Sequence, residues 1–138
     1  MDRAFHKIAV FIKEHHVMSL ATNYENDLSV CSLFYAFNEE KNIFIVASST
    51  ETKHIQHIMK NPKIAGNILL ETKTIGEIKG LQFVGSFLKL ADSLDKLSYF
   101  KAYPYALALN PTLWQIEIES FKLTDNSLGF GKKLLWEV

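Results

Sequence analysis

The sequence predicts an α+β domain in which about six short, mostly antiparallel strands close into a small barrel, with two or three helices outside it. β-Branched and aromatic segments are short and bounded by turn signals, and three other segments carry apolar residues at helical spacing. No repeat, low-complexity tract or Pro/Ser/Gly-rich linker divides the chain, so residues 1–138 are expected to form a single domain. Hydrophobic residues make up 48% of it, enough for a real core.

The first segment, "DRAFHKIAVFIKEHH", places Phe5, Ile8, Ala9 and Ile12 on one helical face and charged residues elsewhere around the turn. "VMSLAT" then reads as a short strand, "NYEND" as a polar turn and "LSVCSLFYAF" as a long strand ending at the turn "NEEKN", which together make an antiparallel hairpin. "IFIVA" is apolar without alternation, the pattern of a strand buried on both faces. From Thr50 the spacing of Ile55, Ile58 and Met59 predicts a helix that Asn61-Pro62 stops. Strands follow in "KIAGNILLE" and "IKGLQFVGSFLKLA". A helix capped by Asp92 and carrying Leu94, Leu97 and Phe100 is expected next, broken at Tyr103-Pro104. "LWQIEIE" alternates as a half-exposed strand, and the tail "LTDNSLGFGKKLLWEV" holds a glycine-flanked turn before a short apolar end.

Charge and cysteine content narrow the functional classes. Fifteen basic and fifteen acidic residues cancel, which argues against nucleic acid or an acidic membrane surface as partner. No apolar run approaches the roughly eighteen residues of a membrane span, and the first segment lacks the continuous apolar stretch of a signal peptide. Cys31 is the only cysteine, so an internal disulfide is impossible and a reducing cytoplasm is the expected compartment. Its apolar neighbours make it a small core residue rather than a nucleophile.

"ASSTETKH", residues 47–54, is the densest chemical signal. A strand running straight into a helix aims backbone N–H groups and the positive end of the helix dipole at one spot. Hydroxyls of Ser48, Ser49 and Thr52 can donate to phosphate oxygens there, with charge from Lys53 and a further donor in His54. The alternative is an ordinary helix start, with Ser49 or Thr50 as N-cap and Lys53 as a solvated surface residue. The glycines of a P-loop are absent. His54 and His57, or His15 and His16, lack the third ligand a metal site wants, and no cysteine or carboxylate at a telling spacing supplies it. Gln82, between Gly80 and Gly85, either meets a flat heterocycle or lies on the surface of a bent strand. Trp114 belongs to a core or a dimer interface, with ring stacking as the other option.

Taken in order, "SLAT", "LSVCSLFYAF" and "IFIVASSTETKHIQHIMKNP" resemble the FMN-binding split barrels related to pyridoxamine 5′-phosphate oxidase. "KGLQFVGSFLKL" and "PTLWQIEIESFKLTDNSLGFGKKLLW" are similar to the YhbP-like group of small proteins within that superfamily. The resemblance implies a six-stranded antiparallel split β-barrel with peripheral helices, assembled as a homodimer with two FMN sites at the subunit interface. It assigns the flavin phosphate to Ser48, Ser49, Thr52, Lys53 and His54. The oxidase's arginine-bearing, flavin-contacting strand matches Ser32, Leu33 and Phe34, which removes one phosphate charge. The oxidase's flavin-contacting glutamine falls two residues before Gln82. Trp114, through its ring-stacking option rather than through the resemblance, is the remaining cofactor-binding candidate. The His/Arg constellation that grips a pyridoxine phosphate is missing, so vitamin B6 oxidation is not implied.

The expectation for function is therefore a flavin-dependent oxidoreductase or reductase on a small molecule, with electrons drawn from a nicotinamide and no side chain marked as an acid or base. Two alternatives stay open: a flavin-holding module without turnover, and a haem-binding split barrel with His15, His16 or His54 as axial ligand. A deazaflavin in place of FMN is also compatible with the sequence.

Overall fold

Asp2 opens the first helix by accepting the Ala4 backbone N–H at 2.8 Å, one of the donors a helix start leaves free. The structure, a computed structural model, describes residues 2–138. Helix α1 spans Arg3–Glu14 and buries Ile8, Ala9, Phe11 and Ile12, so its inward face is the one the spacing indicated, with Phe11 added.

The seven strands are β1 (Val17–Tyr24), β2 (Asp27–Asn38), β3 (Ile43–Ala47), β4 (Lys63–Leu69), β5 (Lys79–Lys89), β6 (Leu113–Asp125) and β7 (Lys133–Glu137). All pairings are antiparallel, in the order β3-β2-β1-β4-β5-β6-β7, and β3 also pairs with β6. That last pairing closes β1 to β6 into the six-stranded barrel. β6 is long enough to serve two neighbours on one edge: Leu113–Glu117 faces β3, and Ser120–Thr124 faces β7. The apolar tail end expected after the glycine turn is thus a seventh strand, appended outside the ring.

Local chemistry explains the corners. Glu25 and Asn26 both have positive φ (49° and 67°) between the paired residues Tyr24 and Asp27, the signature of a two-residue type I′ hairpin. At Gly85 the β5–β6 register slips past Glu119, and a Cβ there would lie 2.2 Å from the Glu117 carbonyl oxygen. Gly85 is therefore the close backbone approach that a strand glycine signals, whereas at Gly80 a Cβ would meet only a Leu69 methyl at 3.5 Å.

The barrel interior is aromatic. Phe44, Phe83, Phe87, Trp114 and Phe121 are all essentially inaccessible, packed with Met18, Leu20 and the α1 residues Ile8 and Ile12. β3 is buried on both faces, as its unbroken apolar run requires: Phe44 and Val46 enter this core, while Ile43 and Ile45 join a second cluster with Tyr99 and Leu113.

Two helices differ from expectation. Helix α2 spans Lys53–Ile58 and starts three residues later than Thr50, because Thr52 is the cap. The Asp92 cap is real, accepting from Leu94 N at 2.9 Å, but it begins a 3₁₀ turn over Ser93–Asp95, and helix α3 follows at Lys96–Ala102. The tighter turn rotates the face: Leu94 and Leu97 point outward at 70% and 67% exposure, and Tyr99 takes the buried position.

The outer face of β2-β1-β4-β5 carries no charged side chain in its central rows. Ser32, Ser19, Asn67 and Gln82 are consecutive cross-strand neighbours, and Val30, Ala21, Ala65 and Val84 form the row beside them. These rows border an open groove of about 390 Å³.

Candidate functional site

Two places gather the residues singled out in the sequence: the rim where β3 runs into α2, and the outer groove. At the rim, β3 ends at Ala47, and Ser48 N donates to Thr112 O at 3.0 Å, so the loop leaves the barrel beside the start of β6. An open cleft of about 380 Å³ lies between Ser48, Ser49 and Thr50 on one side and Asn110, Pro111 and Thr112 on the other. Asn110 adopts the left-handed conformation (φ 45°), which turns the chain toward β6.

The loop is held by its own hydroxyls and by the core. Trp114, 2% exposed with its ring against Phe87, donates its indole N–H to Ser48 O at 2.9 Å. Thr52 Oγ1 donates to Ser49 O at 2.8 Å and accepts from Ile55 N at 3.4 Å, so it shapes the loop and caps α2 rather than offering a free donor. Ser49 Oγ accepts from Glu51 N at 3.3 Å, which leaves its hydroxyl proton free to donate.

His54 is buried, and its Nε2 contacts the Ser48 hydroxyl and lies 3.4 Å from Thr52 Oγ1. Burial lowers its pKa, helped by the nearby His57. With the proton on Nδ1, Ser48 donates to the ring. With it on Nε2, the ring donates to Ser48, whose own proton then turns toward the cleft.

Lys53 and His57 stand four residues apart on one side of α2. Lys53 Nζ lies 3.0 Å from Asp27 Oδ1, and His57 Nε2 lies 3.0 Å from Asp27 Oδ2. The His57 and Lys53 hydrogen bonds hold the Asp27 carboxyl below its usual range, so it is an acceptor and Nε2 carries the proton. In the neutral ring, Nδ1 then accepts from Thr22 Oγ1 at 2.7 Å, and Thr22 in turn accepts from Ser29. The carboxylate that sequence spacing did not supply to the histidines is thus Asp27, delivered by the β1–β2 hairpin. Among the described residues no three His, Cys, Asp or Glu side chains cluster as a metal site.

The remaining candidates lie elsewhere. Ser32 and Gln82 point outward in one row, with Ser19 and Asn67 between them. Leu33 points inward at 9% exposure. Phe34 is 56% exposed, with Tyr103 edge-on at 5.3 Å between ring centroids. Trp114 is in the core, where it positions Ser48. Burial raises the Cys31 thiol pKa, consistent with a packing role. Sequence reasoning missed Asp27, Thr22 and the Asn110–Thr112 wall. Only the β1–β2 hairpin register, which puts Asp27 opposite Tyr24 and Ser29 opposite Thr22, could have signalled the first two.

Comparison with known proteins finds no matching family model. A UPF0306 protein of Photorhabdus laumondii is 33% identical over 136 residues, 96% of this chain and 95% of that protein. One from Yersinia pseudotuberculosis is 32% identical over 129 residues, 91% of this chain and 88% of that protein. Solved structures share the fold at far lower identity. A haem-binding protein from Mycobacterium smegmatis superposes with a TM-score of 0.80 at 12% identity, over 99% of this chain and 59% of that one. A Clostridium acetobutylicum protein related to general stress protein 26, of the pyridoxinephosphate oxidase family, gives 0.71 at 16%, over 100% and 97%. A FAD-binding protein from Mesorhizobium loti gives 0.70 at 17%, over 86% and 90%.

Proposed function

The chain belongs to the UPF0306 family and has the split-barrel fold of the pyridoxamine 5′-phosphate oxidase-like proteins, and from that premise we propose that it binds FMN and uses it as an oxidoreductase on a small molecule. The observation that carries this reading is the rim: a cleft floored by Ser48, Ser49 and Thr50, followed at the start of α2 by Lys53, whose ammonium rests on Asp27 rather than in the cleft lining. Ser49 and Lys53 are the direct phosphate donors. Ser48 joins them when His54 donates to it, and Thr52 and Trp114 hold the loop in shape.

The donor set fits a phosphate, and the uncharged outer face fits a flat ring system. Ser32 and Gln82 offer it neutral hydrogen-bonding groups, while Phe34 and Val30 offer exposed apolar surface. A second copy of the chain is the partner that fits this face, since Val30, Ala21, Ala65 and Val84 make a self-complementary apolar strip without charge. Bound flavin supplies the redox chemistry, and the chain's part is to hold it and tune it by hydrogen bonds. Of the three candidate axial histidines His15, His16 and His54, only His54 has a ring nitrogen occupied among the described residues, its Nε2 being turned onto Ser48 and Thr52.

The visible spectrum of purified protein, with and without added FMN, is the test. Flavin absorbance and saturable quenching of FMN fluorescence are expected, followed by bleaching with NAD(P)H. A Soret band on haem addition with no flavin quenching would replace this reading with the haem one. Quenching without bleaching would leave a flavin-holding module without nicotinamide-driven turnover.

A further inference from the structure

We propose that Asp27 is a built-in competitor for the phosphate site: its carboxylate sits on Lys53 when no ligand does, so that only a ligand bringing more negative charge than a carboxylate takes the lysine. This rests on reading the Lys53 junction as the phosphate site.

The geometry is that of an anion already docked. One carboxylate spans the two side chains that α2 presents on one face, Oδ1 to Lys53 and Oδ2 to His57, each at 3.0 Å. The two contacts differ in kind. The Lys53 and Asp27 side chains are 56% and 58% exposed, so their ion pair is solvated and weak. The His57 side chain is 7% exposed and tied through Thr22 to Ser29, so the bond to it is sheltered and directed.

Asp27 is also the first residue after a two-residue turn and is paired with Tyr24, which fixes its backbone. Its carboxylate is therefore anchored by one oxygen and leans on Lys53 with the other. An arriving phosphate carries about −1.5 to −2 charges against −1. It can take Lys53 while Asp27 keeps His57. A phosphate-free ligand has nothing to exchange for the carboxylate and leaves the pair in place.

Ligand titration of four proteins tests this, following FMN and riboflavin fluorescence: wild type, Asp27→Asn, Lys53→Ala and the double variant. Asp27→Asn should tighten FMN by roughly two- to five-fold, the size of an exposed ion pair, and leave riboflavin unchanged. In the Lys53→Ala background the same substitution should change neither ligand. Asp27→Ser, which also removes the carboxylate, should match Asp27→Asn. FMN affinity that is unchanged or weaker in both Asp27 variants would overturn the competitor role while leaving the phosphate site standing. Absence of FMN binding in wild type and in both Asp27 variants would overturn both. Binding that appears only once Asp27 is replaced would support the competitor in its strongest form.

Discussion

Trp114 and Ser48 are joined by a 2.9 Å hydrogen bond from a buried indole to the first carbonyl of the rim loop. The barrel core thereby dictates where the hydroxyls of residues 48–52 stand, since the ring that donates is itself wedged against Phe87. Trp114→Phe keeps an aromatic ring but removes the donor. The cost should be about 1–3 kcal/mol in urea unfolding, from the unsatisfied carbonyl and the lost ring volume. FMN affinity should fall as well, through Ser48 and Ser49. A variant that is destabilised but binds FMN as wild type would show that the bond matters to the core alone.

Lys53→Ala should weaken FMN by about 1–2 kcal/mol, below the full value of a charge-assisted bond because Asp27 already shares the ammonium. Riboflavin, which lacks the phosphate, should bind the variant and the wild type alike. Calorimetric titration of both ligands reads this directly, and equal losses would move the phosphate away from Lys53.

Much of this was legible in the sequence because it depends on short-range periodicity. The face of α1 through Ile8 and Ile12 and the double-sided burial of Phe44 to Val46 follow from spacing alone. Three things did not follow. Ser49 and Thr50 are as acceptable at an N-cap as Thr52, so the true cap was fixed only when Thr52 found Ile55 N. Leu94 and Leu97 match helical spacing, yet a 3₁₀ turn in front of α3 turned them outward. The pairing of Asp27 with His57 spans 30 residues and depends on α2 lying across the β1–β2 hairpin, which no local pattern encodes.

Stability should fall on acidification in two separate stages. Burial lowers the pKa of His54, and of His15, below the ordinary value of 6.5, so the unfolded chain binds more protons than the folded one just below that pH. No penalty exists well above 6.5. It grows as pH drops below 6.5 and levels off once the folded groups protonate. Asp27 acts lower down: its folded pKa is depressed below 3.8, so its contribution is present above 3.8 and is lost as pH falls through the folded value. Urea midpoints between pH 8 and 5 should decline in the wild type and decline less in His54→Gln, whereas identical slopes would mean that His54 is not the group responsible.

Gly85 makes the shortest approach of any glycine to a backbone atom. A methyl group there meets the Glu117 carbonyl oxygen at 2.2 Å, a backbone atom that cannot swing aside, at the point where the β5–β6 register slips. Gly85→Ala should cost about 2–4 kcal/mol in urea unfolding. Gly76→Ala makes the matched control, because a Cβ there meets nothing within 4 Å and φ is not in the left-handed region. A Gly85→Ala protein as stable as the control would mean that the slip at Glu119 relaxes freely.

The outer sheet face gives the last prediction. Val84 is 41% exposed and sits opposite Ala65, which in turn faces Ala21, so the middle of the strip has small residues and no charge to repel a second copy. In the proposed dimer, Val84→Glu places a carboxylate on both sides of the two-fold axis, where like charges meet and lose water together. Sedimentation should show a dimer for the wild type and a monomer for Val84→Glu, with far-UV circular dichroism unchanged because the side chain points away from the core. FMN quenching should weaken in the same variant, since Gln82 and Ser32 lie in the adjoining row of the same sheet face. A Val84→Glu protein that stays dimeric would move the interface off this sheet, and a monomer that keeps full FMN affinity would place the cofactor within one chain.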